Sequence, residues 1–203
     1  MKRAFSIGNG ESRKGLDLET LRPHGTIAGC NALYRDFEPD ILFCVDQNMC
    51  REILQAKYPG ILVYKCEDTR TVETFFGGHS IWVEPYDPLV YGNCGAISVY
   101  FLCKWHKPGE VYLVGHDFFP HPERGMNNVY KGTLNYSHQG HKMGYNDGWR
   151  KAMEISFETF SNTLFVIVNS VENLPQIGGL WGSFDNVDYM TLELFKEEIK
   201  AWS

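Results

Sequence analysis

Three groups of residues in this chain have types and spacing that could do chemistry. Near the N-terminus, Gly8-Asn9-Gly10-Glu11-Ser12 follows a short apolar run, Ala4 to Ile7. A strand that turns through glycines into a helix leaves unpaired backbone N–H groups and the positive end of a helix dipole at one spot, which suits a phosphate. The dinucleotide spacing GxGxxG is not met, because its third glycine falls on Arg13. The second group is the pair Asp46 and Asp117, each at the end of an apolar run. Two carboxylates so placed can hold Mg²⁺ together with substrate phosphates, or can cap helices and bind loop amides. The third is the histidines His116, His121, His138 and His141. An imidazole accepts a proton at neutral pH without heavy tuning. The spacing of His116, His121 and His138 has no zinc geometry, and loop histidines on the surface are the plainer reading.

The elements that must position these groups read as alternating strands and helices. Apolar runs at Ala4–Ile7, Thr26–Gly29, Ile41–Val45, Ile61–Tyr64, Ser80–Val83, Val111–Gly115 and Leu164–Val168 predict strands. Helices are expected after Glu11 (apolar face Leu16, Leu18, Leu21), over Met49–Ala56 with Asp46 or Asn48 as cap, and over Gly95–Trp105. Two more are expected over Tyr145–Phe160 and Leu192–Trp202. Residues 67–79 read as a polar loop. The strands lack a polar face, which predicts a mostly parallel sheet covered on both sides. In such sheets ligands bind beyond the carboxyl ends of the strands, so Gly8-Asn9-Gly10, Asn31, Asp46 and Gly115-His116-Asp117 form one candidate rim. Residues 118–143 are rich in proline, glycine, asparagine, histidine and tyrosine and have no periodicity, which predicts a functional loop, a lid over the rim.

Composition limits the function classes. With 203 residues, 43% of them hydrophobic, the chain reads as one soluble domain, 1–203. A net charge of −6 with no basic stripe argues against a nucleic-acid partner. No apolar run approaches the ~20 residues of a membrane span, and nothing at the start resembles a signal peptide. Six scattered cysteines without a CxxC pair predict buried, reduced thiols and a cytoplasmic location. The apolar stripe of the terminal helix is expected to dock on its own domain, with a homo-oligomer contact as the second reading.

Several of these motifs, in order, resemble the Campylobacter-type bacterial sialyltransferases. Ser6-Ile7-Gly8-Asn9-Gly10-Glu11-Ser12 followed by Gly29-Cys30-Asn31 resembles that family's opening strand, its Gly-Asn-Gly-Pro-Ser and its later asparagine. Gly95-Ala96-Ile97 resembles its glycine-started helix, and Tyr112-Leu113-Val114-Gly115-His116-Asp117-Phe118 its Tyr-Leu-x-Gly-x-Asp-Phe strand end. His141-Lys142-Met143-Gly144-Tyr145-Asn146 resembles its His-x-x-x-Tyr-Asp. The pterin diphosphokinase-like clan shares the Gly-x-Gly-x-Ser opening and the Gly-x-Asp-Phe strand end.

The resemblance implies a single Rossmann-like α/β domain, with helices on both faces of a mostly parallel sheet, a lid loop and a nucleotide site. It implies a metal-independent, inverting glycosyltransferase with a CMP-activated sugar as donor, a glycan or small molecule as acceptor, and no required cofactor. Asn9 and Asn31 would contact the phosphate or ribose, with Ser12 and the amides around Gly8 and Gly10 nearby; Asp117 belongs to the same nucleotide set. Gly95 would let the nucleotide lie close to a helix start. His141 would be the general base, with His138 as its rival. Tyr130 and Tyr136, assigned by region, would hydrogen-bond the departing phosphate. Glu11 and Asn146 depart from the family pattern, which has proline and aspartate there. The alternatives are a Mg²⁺-dependent, diphosphokinase-like nucleotide transferase and a non-catalytic nucleotide-binding protein on the same fold.

Overall fold

The computed structural model describes residues 2–65, 71–85, 94–120, 125, 127–136 and 147–202. Nine strands form one sheet: β1 (Arg3–Ile7), β2 (Gly25–Cys30), β3 (Ile41–Cys44), β4 (Ile61–Lys65), β5 (Thr71–Phe76), β6 (His79–Pro85), β7 (Glu110–Val114), β8 (Leu164–Asn169) and β9 (Val187–Thr191). Their spatial order is β6-β5-β4-β3-β2-β1-β7-β8-β9. β1 is an interior strand, with five strands on one side and three on the other, and the chain builds outward from it in both directions. All pairings are parallel except the antiparallel β4–β5 and β5–β6.

The unbroken apolar character of the strands has its reason in two cores. α2 (Cys94–His106), α3 (Asp147–Thr159) and α4 (Leu174–Trp181) cover one face, packing on Ala4, Ala28, Phe43, Leu113 and Ile167. α1 (Gln47–Gln55), α5 (Leu192–Ala201) and two 3-10 segments cover the other, over Phe5, Ile7, Leu42, Tyr112 and Val168. Side chains alternate between these cores along each strand, so both sets must be apolar. α5 docks on its own chain through Leu192, Phe195 and Ile199, and Thr191 caps it by accepting a hydrogen bond from the Leu194 amide. Among the described residues no helix is long and apolar enough to cross a membrane. The five described cysteines are all free and buried.

Three expectations change. The helix after Glu11 is not an α-helix. A 3-10 turn covers Glu11–Arg13, Gly15 turns left-handed (φ +83°), and Asp17 caps a new 3-10 helix over Leu18–His24. Leu18 and Leu21 are still buried. The polar stretch 67–79 contains β5, which buries Val72 and Thr74 and leaves Phe76 exposed at its end, beyond a register shift against β6 between Thr74 and Phe75. β9 and α4 were hidden in a tail without clear periodicity. The start of the helix expected at Tyr145 lies outside the described residues.

Candidate functional site

The carboxyl ends of β1, β2, β3 and β7 open into a cleft of about 700 Å³. Gly8, Asn9, Gly10, Asn31, Asp46, Gly95, His116 and Asp117 all line it, so the rim expected from the strand ends is assembled. The N-terminal turns of α1 and α2 also face it, through Gln47 and Asn48 and through Cys94 and Gly95. One wall is aromatic: Phe118 packs at a tilt on Trp149, their ring centroids 4.8 Å apart, and Trp149 also lines the cleft. Among the described residues the lining holds no lysine or arginine.

The glycine corner after β1 is built differently from an open phosphate cradle. The Gly8 amide donates to the Val114 carbonyl and the Gly10 amide to the Gly115 carbonyl, both at 2.8 Å, extending the β1–β7 ladder around the turn. A side chain at Gly8 would strike the Gly115 carbonyl, and one at Gly10 would strike the Asp117 carboxylate. Asp117 fills the place expected for a ligand anion. It accepts from the Ser12 amide at 3.0 Å, from the Ser12 hydroxyl, and from Asn169 Nδ2 at 3.2 Å. Burial pushes the Asp117 carboxyl above the usual range, against these hydrogen bonds. Ser12 is thus a partner of Asp117 and does not line the cleft. Glu11 points toward the segment 127–136 and pairs with Lys14 and Lys131.

The open valences lie on the two asparagines. Asn9, 8% exposed, spends both amide hydrogens, on the Cys30 carbonyl at 2.9 Å and on Tyr136 Oη at 3.0 Å. Its Oδ1 is buried without a partner. Asn31 takes the left-handed conformation (φ 49°), donates to Asp46 at 3.2 Å, and likewise keeps an unpaired buried Oδ1. Each Oδ1 can only accept, so each of these two atoms calls for a ligand hydroxyl or amine and not for a phosphate oxygen, while Asn31 keeps a second amide hydrogen to donate.

The two tyrosines separate in role. Tyr136 lines the cleft and accepts from Asn9, and among the described residues no acceptor takes its own proton. Burial raises its pKa, so the phenol stays protonated at neutral pH. Tyr130 stands outside the lining. It donates to Asp36 at 2.6 Å and accepts from Arg13 at 3.1 Å, a structural clasp. The segment carrying both is pinned down. Asn127 receives the Glu11 amide, the Val129 amide reaches the Asn9 carbonyl at 2.8 Å, Lys131 pairs with Glu11, and Asn135 donates to Glu52.

A buried network that sequence reasoning missed supports the cleft from behind. His116 Nε2 lies 3.0 Å from Ser6 Oγ and 3.1 Å from the Ser6 carbonyl. Ser6 meets Ser98 at 2.8 Å, and Ser98 donates to the Gly95 carbonyl at 2.8 Å. This chain ties β7 to β1 and to the first turn of α2. Burial lowers the His116 pKa to about 4, so the ring is neutral. Asn169, at the end of β8, holds Asp117 and the His116 carbonyl together. Such small polar residues inside strands carry no periodic signal.

Against protein-family models, curated proteins and solved structures, this chain finds no match. His141, His138 and His121 lie outside the described residues. Among the described residues no group of three histidine, cysteine or acidic side chains is placed to hold a metal ion.

Proposed function

We propose that the cleft binds a CMP-activated sugar and that the chain is a metal-independent, inverting glycosyltransferase of the sialyltransferase-like kind, on a Rossmann-like domain closed by a lid. The observation that carries this reading is Tyr136: a protonated phenol in the cleft wall whose oxygen is held by Asn9 and whose hydrogen no acceptor among the described residues takes. Inversion needs one base and a stabilised leaving group, and a phenol can serve the leaving phosphate where no lysine or arginine among the described residues lines the wall. The strand order outward from β1, with the cleft at the point where it reverses, supports a nucleotide there.

The parts then have these tasks. Asn9 and Asn31 accept from donors on the nucleoside, its ribose hydroxyls or the cytosine amine. The phosphate lies at the first turn of α2, where Gly95 allows close approach and the helix dipole favours negative charge. His141 takes the proton from the acceptor hydroxyl as that oxygen bonds to the sugar carbon. The bond from the sugar to phosphate breaks, and CMP departs accepting a hydrogen bond from Tyr136.

The Mg²⁺-dependent diphosphokinase-like reading draws on Asp46 and Asp117, but the oxygens of Asp117 are engaged by Ser12 and Asn169, which weakens its donor set. The test is transfer from CMP-sialic acid, with donor hydrolysis as a readout that needs no acceptor. His141→Ala is expected to abolish transfer and leave CMP binding nearly unchanged. Full activity in that variant would reject His141 as base. Tight CMP binding without turnover of any donor would leave a binding protein. Loss of activity with EDTA, together with preference for ATP, would favour the diphosphokinase-like reading.

A further inference from the structure

At the opposite end of the sheet a second cavity of about 690 Å³ opens between the first residues of β1 to β4, the end of the 3-10 helix Leu18–His24, and the last turn of α2. Nothing in parallel-sheet topology calls for a ligand at this end. Its wall is aromatic. Trp82 on β6 meets Trp105 on α2 edge to face at 5.6 Å and is 47% exposed, while the Trp105 indole is fixed by donating to Glu84 at 2.9 Å. Thr74, also in the lining, is fully buried, and among the described residues its hydroxyl has no hydrogen-bond partner. Buried hydroxyls are normally paired, so this one marks an unfilled valence.

The charged groups of the lining differ in how they are paired. Arg3 is matched by Glu110 and Arg22 by Glu19. Lys2 donates to the His106 carbonyl at 2.9 Å, and among the described residues no carboxylate lies within ion-pair distance of it. His24 and His106 share the lining with it. Asp40 is the one carboxylate in the lining, and its Oδ2 is held by the Ile27 amide at 2.7 Å. The cavity therefore offers a ring-stacking surface, one cation without an ion-pair partner among the described residues, and three further hydrogen-bonding groups, His24, His106 and Thr74.

We propose that this cavity binds a small planar ring bearing one anionic group, a carboxylate or a phosphate. The ring stacks on Trp82, the anion meets Lys2 with the imidazoles beside it, and the Thr74 hydroxyl gains its missing partner. The site is independent of the cleft, which lies at the other end of the strands.

The test is a titration of the ¹⁵N-labelled full chain with 2-naphthoate, 2-naphthyl phosphate and the uncharged 2-naphthamide. Either anion is expected to shift the indole N–H signals of Trp82 and Trp105 and to leave the amides of Asn9 and Gly95 in place. The tighter of the two anions assigns the natural group. Lys2→Ala, at an exposed position, should weaken both anions about tenfold and leave the amide unchanged. Trp82→Ala should weaken all three probes. Unmoved indole signals, equal binding of naphthamide and the anions, or indifference to Lys2→Ala would each overturn the assignment.

Discussion

The two ends of one sheet carry cavities of nearly equal volume, and their chemistry is inverted. At the carboxyl end the wall holds asparagines, a phenol and two helix N-termini, with no lysine or arginine among the described residues. At the amino end it holds Lys2, Arg3, Arg22 and the last turn of α2, where the helix dipole is negative. The contrast teaches that a parallel sheet sorts backbone dipoles by end before any side chain is chosen. Anion affinity at the carboxyl end can rest on helix starts and neutral donors, whereas at the amino end it must be supplied by cations.

The largest expected effect separates the ends by stability. Asp117→Ala strips the Ser12 amide and Asn169 of their acceptor and should cost roughly 2–4 kcal/mol, read as a lower urea midpoint at constant slope. Lys2→Ala at the other end should cost less than about 0.5 kcal/mol. Next, Tyr136→Phe should lower transfer kcat about 10²-fold with little change in stability. Tyr130→Phe should cost about 1 kcal/mol of stability and spare kcat. Equal effects of the two would erase the distinction between phenol and clasp.

A pH dependence follows from His116. The unfolded imidazole protonates near its ordinary 6.5, whereas the buried ring does so only near about 4. Between those values the unfolded chain binds more protons, so stability is full above pH 6.5 and falls as pH drops toward 4. His116→Gln should flatten that slope in chemical denaturation at stepped pH. The smallest effect concerns the segment over the cleft. Lys14 and Lys131 hold Glu11 below the usual carboxylate range against the cost of burial. Glu11→Gln should cost under about 1 kcal/mol yet speed amide exchange at Val129.

Much of the carboxyl-end rim was legible in sequence because apolar runs end there in residues that cannot continue a strand: Gly8-Asn9-Gly10, Asn31, Asp46 and Gly115. The filling of the corner was not legible. That Asp117 occupies the anion's place depends on a turn of only three residues at Glu11–Arg13, broken by Gly15, where leucine spacing had predicted a full helix. Nor could regional assignment tell Tyr136 from Tyr130, since their difference lies in partners distant along the chain, Asn9 against Arg13 and Asp36. The amino-end cavity left no signal, because its groups come from seven separate segments. β5 was lost because Thr71, Glu73 and Thr74 break its apolar run, although Thr74 is buried.

The most direct measurement is a titration of the full chain with CMP, followed by the amide signals of Asn9, Asn31, Gly95 and Tyr136 and by thermal unfolding. Those four signals should move together, with CMP favoured over ATP whether or not Mg²⁺ is present. At about 100 times its Kd, CMP should stabilise the fold by about 2.7 kcal/mol. Unmoved cleft signals, with no rise in Tm at saturating CMP, would contradict the account.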